Sequence, residues 1–394
     1  MKVELLIIGG GPAGLSTAYS AAKHGIDVLV IEKRREIGVP IQCGEFLPAR
    51  SEYNNILPNA KHIKLLKSIP KEIILTSIRK ISMFSPSGDR YDLRFDGCVV
   101  DRERFDKWIA VLAGENNAKI ALSTKALSID LEKSRVYVTG KYFDGWIYYE
   151  YLVYAAGAIS NLDNYIPIKP KNSEYNISRV YQVVMGNASI DEDTIYMFSG
   201  LKYAPGAYAW IIPRGSSIAN VGLGVRKPYN PKPDLDIYIK NLRSEHPVAK
   251  SMIKSGTPLS YIGGLVPVGP PLKSAVYGNV LLVGDSANMT VASIGAGVPT
   301  AVVAGSICGE VISNHPNDIY KYDELWRQEI LSPLENGYKI RVMMDPVLKS
   351  DLLMDLALKV LGEKFLGDII RVKIPKEIEI LYKLFKLRFQ TKSR

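Results

Sequence analysis

The apolar pattern at the start of the chain switches from strand-like to helix-like and back again. Residues 2–8 (KVELLII) and 27–32 (DVLVIE) have the nearly continuous apolar character of buried parallel strands. Residues 15–24, between them, keep the spacing of a helix. We therefore predict a strand–helix–strand unit, the building block of Rossmann-type domains.

Two further changes of pattern divide the rest of the chain. Alternating segments near 73–95 and within 119–156 predict strands. From about 161 to 265, alternation interrupted by turns predicts a mostly antiparallel sheet. An apolar run at 280–283 returns to the pattern of a buried parallel strand, and residues after about 318 are predicted to be helical.

The turn of the first unit carries a nucleotide-binding motif. Residues 9–14 (GGGPAG) match G-x-G-x-x-G, with Gly9, Gly11 and Gly14 at the three glycine positions. Such glycines allow a tight turn and a close approach of the backbone to a pyrophosphate, which the helix N-terminus attracts. Glu32 follows Gly14 by 18 residues, at the end of the second strand, and is predicted to bind the ribose hydroxyls of adenosine. This motif does not distinguish FAD from NAD.

A second motif favours FAD. In residues 280–287 (VLLVGDSA), Asp285 follows a buried strand directly, where open α/β sheets bind ligands. A carboxylate there can accept hydrogen bonds from a ribityl chain, which NAD lacks. Gly295 and Gly297 then open a helix whose N-terminus can face the flavin or the phosphates. The alternative is that Asp285 only caps a helix.

Composition restricts the class of protein only broadly. The chain has 394 residues, 47% of them hydrophobic, which suits a globular protein of two or three domains. The three cysteines form no C-x-x-C pair, so neither a disulfide framework nor a metal site is predicted. No apolar run is long enough to span a bilayer and no signal peptide is recognisable, so a cytoplasmic location is expected. The net charge of +10 suits an anionic partner, and the Lys- and Ile-rich composition is typical of thermophiles.

Three further stretches carry a resemblance to known flavoproteins. Together with the two motifs above, residues 101–106 (DRERFD) resemble the superfamily of the aromatic hydroxylases. Residues 40–45 (PIQCGE) and 205–215 (PGAYAWIIPRG), the latter followed by NVGLG at 220–224, are similar to the geranylgeranyl reductase family. The chain departs from the family pattern at Ala292, where proline is usual, and at Ala296, where glycine is usual.

The resemblance implies the fold and the cofactor contacts. We expect an α/β fold with a Rossmann-type FAD-binding domain, a mostly antiparallel β-sheet substrate domain and a helical C-terminal region. The expected boundaries are 1–160 with 266–325, 161–265 and 326–394, with strands near 73–95 joining the substrate sheet. The implied contacts to FAD are at Ala13, Gly44, Gly297 and Val298, with adenine near Ala126 and phosphates at Arg102. Arg102 has an alternative as a solvated surface charge.

Three residues are candidates for catalysis. The resemblance places Cys43 near the isoalloxazine, where its thiol could donate a proton; the alternative is a small buried apolar residue. Tyr208 and Trp210 alternate along one strand, so both can line one wall of a pocket or both can be core aromatics.

The leading hypothesis is reduction of C=C bonds in the geranylgeranyl chains of membrane lipids or their precursors. The partners are then a long-chain isoprenoid lipid and a transient electron donor, either NAD(P)H or a ferredoxin-like protein. The alternatives are an aromatic-hydroxylase-type monooxygenase and a flavoprotein that passes electrons to a quinone. A nucleic-acid partner is not expected, because no basic and aromatic stretch is present. The basic and apolar segment 376–394 suits either a peripheral contact with the inner membrane face or a helix packed on the protein itself.

Overall fold

Two β-sheets form the framework of the protein. The computed structural model describes residues 1–141, 143–171 and 173–374. The strands of the described residues are β1 Lys2–Ile8, β2 Val28–Ile31, β3 Phe46–Pro48, β4 Ile74–Phe84, β5 Arg90–Val100, β6 Lys119–Ala121, β7 Thr124–Asp130, β8 Arg135–Gly140, β9 Gly145–Tyr154, β10 Ile177–Gly186, β11 Thr194–Phe198, β12 Ala209–Gly215, β13 Ile218–Val225, β14 Thr257–Pro267, β15 Val276–Tyr277 and β16 Val280–Leu282.

The helices surround these sheets. Those of the described residues are α1 Pro12–Ala22, α2 Arg50–Ile56, α3 Lys64–Lys67, α4 Arg102–Glu115, α5 Asp236–Glu245, α6 Pro247–Ile253, α7 Val298–Asn314, α8 Lys321–Trp326, α9 Ser332–Met344 and α10 Asp351–Ile370. The predicted helix 15–24 begins earlier, at Pro12, because Gly11 is its N-cap and proline suits the first helical position. Helices α5 and α6 lie within the stretch whose alternation predicted only sheet.

The first sheet is the Rossmann sheet. Its order is β15-β16-β9-β1-β2-β6, and β1 runs parallel to both β2 and β9. The middle of β1 is fully buried, as expected for a strand covered on both faces. Strand β16 runs parallel to β9, so the carboxyl ends of β1 and β16 lie at the same edge. This edge brings the glycine turn and Asp285 together, although they are far apart in sequence.

The second sheet is mostly antiparallel. Its order is β14-β10-β13-β12-β11-β4-β5-β3, with one parallel pair between β11 and β4. The predicted fold class, an α/β Rossmann-type fold with an antiparallel sheet and a helical C-terminal region, is confirmed. The domain boundaries stay a prediction.

A pair of glycines joins the two halves of the Rossmann domain. Helix α7 crosses α1 so closely that a Cβ on Gly305 would lie 2.3 Å from the Ala13 carbonyl oxygen. A Cβ on Gly309 would lie 2.5 Å from the carbonyl oxygen of Thr17. Since any side chain at these positions would collide with backbone, the two glycines set the distance between α1 and α7.

The described C-terminal residues up to 374 are mainly helical, and helix α10 kinks at Gly362, which has a φ of +64°. The segment 376–394, predicted to contact a membrane or to pack on the protein, lies outside the described residues. Among the described residues, no helix combines the length and apolar character needed to span a bilayer.

Candidate active site

One large cavity lies between the two sheets and the C-terminal helices. Its volume is about 1360 Å³. Most of the residues predicted to bind the cofactor or to act in catalysis line its wall. They are Gly9, Gly11, Ala13, Glu32, Cys43, Gly44, Arg102, Ala126, Tyr208, Trp210, Asp285, Gly295, Gly297 and Val298. Gly14 lies outside this wall, and the roles predicted for these residues stay predictions.

The three motif glycines of the turn after β1 have different structural roles. Gly9 has a φ of +114°, and a Cβ there would lie 2.3 Å from the Ala155 carbonyl oxygen. A Cβ on Gly14 would lie 2.1 Å from the Gly9 carbonyl oxygen, so Gly14 serves packing. A Cβ on Gly11 would meet nothing within 4 Å. The space in front of Gly11, at the N-terminus of α1, therefore fits an anionic group such as a pyrophosphate.

Glu32 braces the glycine turn. Its Oε2 accepts a hydrogen bond from the Gly10 amide at 2.7 Å, and its Oε1 accepts one from the Arg34 amide at 2.8 Å. Glu32 is buried except for the edge that faces the cavity. Each carboxylate oxygen can accept a second hydrogen bond, so the group is placed to receive ribose hydroxyls as well.

Asp285 and the glycine turn meet at the same point of the cavity. A Cβ on Gly284, which has a φ of +62°, would lie 2.8 Å from the Ala13 Cβ. The Thr290 hydroxyl donates to Asp285 Oδ1 at 3.0 Å, and a Cβ on Gly297 would lie 3.2 Å from that same oxygen. Asp285 caps neither of the helical segments beside it, so the capping alternative is wrong.

Buried charges surround Asp285. Burial raises the pKa of Asp285, while the hydrogen bond from Thr290 and the positive charge of Lys169 oppose this rise. Lys169 is itself buried, and its ammonium donates to the Ala158 carbonyl at 3.0 Å. Burial lowers the pKa of Lys169, against the attraction of Asp163 and Asp285. Asp285 lines the cavity and therefore offers an acceptor to a polar group such as a ribityl hydroxyl.

Tyr208 holds the loop that precedes α7. Its hydroxyl donates to the Ile294 carbonyl at 2.6 Å, and burial raises the pKa of Tyr208 to about 12, so the donor keeps its proton. The loop is closed by a hydrogen bond from the Val291 amide to the Ala296 carbonyl at 2.9 Å. Gly295, with a φ of +64°, occupies the position of this loop that favours glycine. Alanine at 296 is thus compatible with a closed loop.

Trp210 holds the loop that carries Cys43. Its indole N–H donates to Gln182 Oε1 at 3.0 Å, and Gln182 Nε2 donates to the Cys43 carbonyl at 3.1 Å. Gly222 on the neighbouring strand makes room for the indole, since a Cβ there would lie 2.5 Å from the ring. Tyr208 and Trp210 are partly buried, with ring centroids 5.8 Å apart. They line the cavity, as predicted, and in addition each fixes one of its loops.

Arg102 lies beside Cys43. The alternative of a solvated charge is wrong, because Arg102 is 7% exposed and its Nη2 donates to Asp106 Oδ1 at 2.8 Å. Burial opposes the charge of Arg102, but the Asp106 carboxylate and the Cys43 thiol outweigh it and raise the pKa of Arg102. Cys43 is half-buried and faces the cavity, so it is not a core residue. The phosphate contact of Arg102 stays a prediction.

Glu45 is a site residue to which the sequence pattern assigned no role. It is 1% exposed and has a φ of +69°, a conformation that favours glycine. Arg214 Nε lies 2.6 Å from Glu45 Oε2, and Asn220 Nδ2 donates to the same oxygen at 2.8 Å. The Arg102 amide donates to Oε1 at 3.2 Å. The ion pair and these hydrogen bonds hold Glu45, the residue after Gly44, against the second sheet.

A Glu45→Ala change is expected to destabilise the protein by about 2–3 kcal/mol, because it leaves the partly buried Arg214 without its counter-charge and Asn220 Nδ2 without its acceptor. Chemical denaturation of the two proteins measures this difference. Glu103→Ala is the matched control: Glu103 also pairs with a cation, Lys107, but its side chain is 39% exposed, and the expected loss is below about 1 kcal/mol. Equal losses in the two variants would contradict the role given to the Glu45 network.

The comparisons with known proteins agree with this geometry. Residues 7–53 match the NAD(P)-binding Rossmann-like domain, and residues 176–266 match the geranylgeranyl reductase catalytic domain. The chain is 31% identical, over 92% of either chain, to the digeranylgeranylglycerophospholipid reductase of Methanocaldococcus jannaschii. It is 29% identical to digeranylgeranylglycerophospholipid reductase 2 of Methanopyrus kandleri, over 84% of this chain and 83% of that one.

Solved structures share the fold. A geranylgeranyl bacteriochlorophyll reductase-like protein from Thermoplasma acidophilum superposes with a TM-score of 0.84 over 97% of this chain and 99% of that one, at 24% identity. The p-nitrophenol 4-monooxygenase of Pseudomonas putida superposes with a TM-score of 0.66 over 94% of this chain and 98% of that one, at 15% identity.

The chain has a Rossmann-type nucleotide-binding domain joined to a mostly antiparallel sheet, a fold shared with an FAD-dependent halogenase and with the p-nitrophenol 4-monooxygenase. Among proteins of this fold, the catalytic-domain match and the archaeal relatives decide the family. The chain belongs to the geranylgeranyl reductase family.

Proposed function

We propose that this chain is an FAD-dependent reductase that saturates C=C bonds in the geranylgeranyl chains of membrane lipids or their precursors. The observation that carries the proposal is one continuous cavity that joins a dinucleotide site to an apolar wall. Its volume of about 1360 Å³ exceeds the roughly 300–1,000 Å³ of ordinary ligand pockets. The cavity therefore has room for a second, long ligand beside the cofactor.

The residues present fit FAD at both ends. The open space before Gly11 takes the pyrophosphate, Glu32 takes the adenosine ribose, and Asp285 takes the ribityl chain. The adenine then lies towards Ala126, and Arg102 is the phosphate partner that the family resemblance implies. These residues would serve the pyrophosphate, the ribose and the ribityl chain of the molecule.

The apolar wall fits an isoprenoid chain. The second sheet contributes Met83, Ile195 and Met197, and helix α10 contributes Met354, Leu358 and Phe365. An unactivated alkene has no polar group that the protein could bind. Its position over the flavin therefore depends on such an apolar wall and on the exclusion of water. The curated relatives are named for reduction of digeranylgeranylglycerophospholipids, a substrate whose chains suit this wall.

The chemistry needs a hydride and a proton for each double bond. When bound and reduced, FAD would supply the hydride for one alkene carbon. The Cys43 thiol would give its proton to the other carbon and would be protonated again from water after the product leaves. Gln182 and Trp210 keep the Cys43 loop in position for this step.

Electrons come from outside the chain. The sequence holds one G-x-G-x-x-G unit, which the FAD occupies, so the donor docks transiently. Both NAD(P)H and a ferredoxin-like protein are compatible with this arrangement. The net charge of +10 suits an acidic protein donor.

The direct test uses chemically reduced protein. We expect the purified protein to be yellow and to release FAD on denaturation. After anaerobic reduction with dithionite, incubation with a geranylgeranyl lipid should add two mass units per reduced bond, measured by mass spectrometry. The unreduced protein is the control and should add none. No mass gain with any prenyl lipid would refute the proposed reaction.

A further inference from the structure

Helix α10 is apolar on both of its faces. Its inner face lines the cavity through residues such as Met354, Leu358 and Phe365. Five large apolar side chains of α10 are exposed, and four of them lie on the other side: Leu352 at 75%, Leu353 at 44%, Leu356 at 54% and Val360 at 72%, the fifth being Leu361 at 37%. A helix that is hydrophobic all round is normally buried all round. The outer face of α10 departs from this expectation.

The exposed side chains form one continuous stripe. At about 100° per residue, Leu352, Leu356, Val360 and Leu353 fall within an arc of about 100°. Single exposed leucines are ordinary, but a contiguous stripe of four on one helix marks a contact with another apolar phase.

The charged side chains of α10 differ in their contacts. Three of its acidic residues hydrogen-bond to the body of the protein: Asp351 accepts from the Leu201 amide at 2.8 Å, Asp355 from the Ser87 amide at 3.0 Å, and Glu363 from the Asp92 amide at 3.0 Å. Lys359 and Lys364 of α10 are exposed, as is Lys349 in the short turn before it. An apolar stripe flanked by outward cations is the pattern of a helix lying in an anionic lipid interface.

We propose that the outer face of α10 docks on the surface of an anionic lipid bilayer. The stripe enters the boundary between head groups and acyl chains, and Lys349, Lys359 and Lys364 contact the anionic head groups. This proposal rests on the proposed function in one respect, namely that the substrate is a membrane lipid. Because the inner face of the same helix lines the cavity, a docked α10 would place the apolar wall next to the bilayer that supplies the chains.

Vesicle sedimentation with the full-length holoprotein tests the docking. Vesicles of phosphatidylcholine with phosphatidylglycerol should bind the unmodified chain. A triple variant, Leu352→Gln, Leu356→Gln and Val360→Gln, should bind roughly 100-fold more weakly, because three apolar side chains no longer leave water. The matched control changes three apolar residues exposed on other elements, Val111→Gln, Leu127→Gln and Leu259→Gln, and should bind like the unmodified chain.

A second variant tests the charges. Changing Lys349, Lys359 and Lys364 to Gln should weaken binding to anionic vesicles roughly 100-fold and leave the weaker binding to pure phosphatidylcholine vesicles unchanged. Equal vesicle binding by the unmodified chain and the leucine variant would overturn the proposal. The proposal would also be overturned if the unmodified chain forms a dimer, and the triple variant is a monomer with unchanged vesicle binding. The stripe would then contact a second copy of the chain.

The same variants separate this proposal from the proposed function. With a detergent-dispersed geranylgeranyl lipid, the leucine variant should keep its FAD and its turnover, because docking is no longer needed. With the lipid presented in vesicles, its turnover should fall along with its binding. Vesicle binding without any lipid reduction would support the docking surface while refuting the reductase. If the triple variant also loses turnover on detergent-dispersed lipid, the stripe does more than dock the protein on the bilayer, which would contradict the proposal.

Discussion

A Gly11→Val variant is expected to purify as a folded but colourless protein. Gly11 has a φ of −89° and a ψ of −177°, which valine adopts readily, and a Cβ there meets no protein atom within 4 Å. Its stability should therefore change by no more than about 1 kcal/mol, the range of helix N-cap substitutions. The new side chain would instead occupy the space that the pyrophosphate needs. Losing two charge-assisted hydrogen bonds of about 1.5–3 kcal/mol each lowers flavin affinity roughly 100-fold or more.

Substitutions at two other glycines serve as controls for the Gly11→Val variant. Gly114 also has open space around its Cβ but lies outside the cavity wall, so Gly114→Val should stay yellow. Gly14→Val should instead unfold, because its Cβ would lie 2.1 Å from a backbone oxygen. Flavin absorbance per protein and thermal unfolding distinguish the three results. A yellow Gly11→Val protein with normal flavin content would mean that the pyrophosphate does not lie at this turn.

Turnover is expected to fall about 100-fold or more in a Cys43→Ser variant, with flavin content unchanged. General acids contribute roughly 10²–10⁴-fold to rate, and a serine hydroxyl gives up its proton far less readily than a thiol. The Gln182 bond goes to the backbone carbonyl of residue 43, so the loop should keep its position. The measurement is the rate of lipid reduction by dithionite-reduced protein under single-turnover conditions.

Cys98 provides the control for this experiment. It is half-buried on β5, outside the cavity wall, and burial raises its pKa to about 11. A Cys98→Ser variant should therefore turn over like the unmodified protein. Full activity of Cys43→Ser would rule out Cys43 as the proton donor.

Local sequence patterns predicted the Rossmann unit that carries the candidate cofactor residues. The strand, glycine turn, helix and acid of the first unit are adjacent in the chain, so their spacing alone specifies their geometry. Asp285 could be placed because it directly follows a buried strand of the same sheet. The structure brings both motifs to one wall of the cavity, as predicted.

The polar contacts that hold the loops could not be predicted in this way. Gln182 lies in the mainly apolar second half of β10, residues 180–186, and its partners Cys43 and Trp210 are far away in sequence. Glu45 and Asn220 both lie in the family-like stretches, but only the folded chain shows that they bond each other. A buried polar side chain in an apolar strand is a signal that could have drawn attention to Gln182. The outer stripe of α10 was missed because apolar periodicity does not show which side of a helix is covered.

The crossing of α1 and α7 at Gly305 and Gly309 has a consequence for how the cofactor arrives. Both helices begin at the cavity wall, at Gly11 and Gly297, so their positive ends converge on one spot. Backbone contact fixes this convergence without any help from a ligand. The anion receptor is therefore preorganised in the apoprotein, and little ordering entropy is lost when the nucleotide enters.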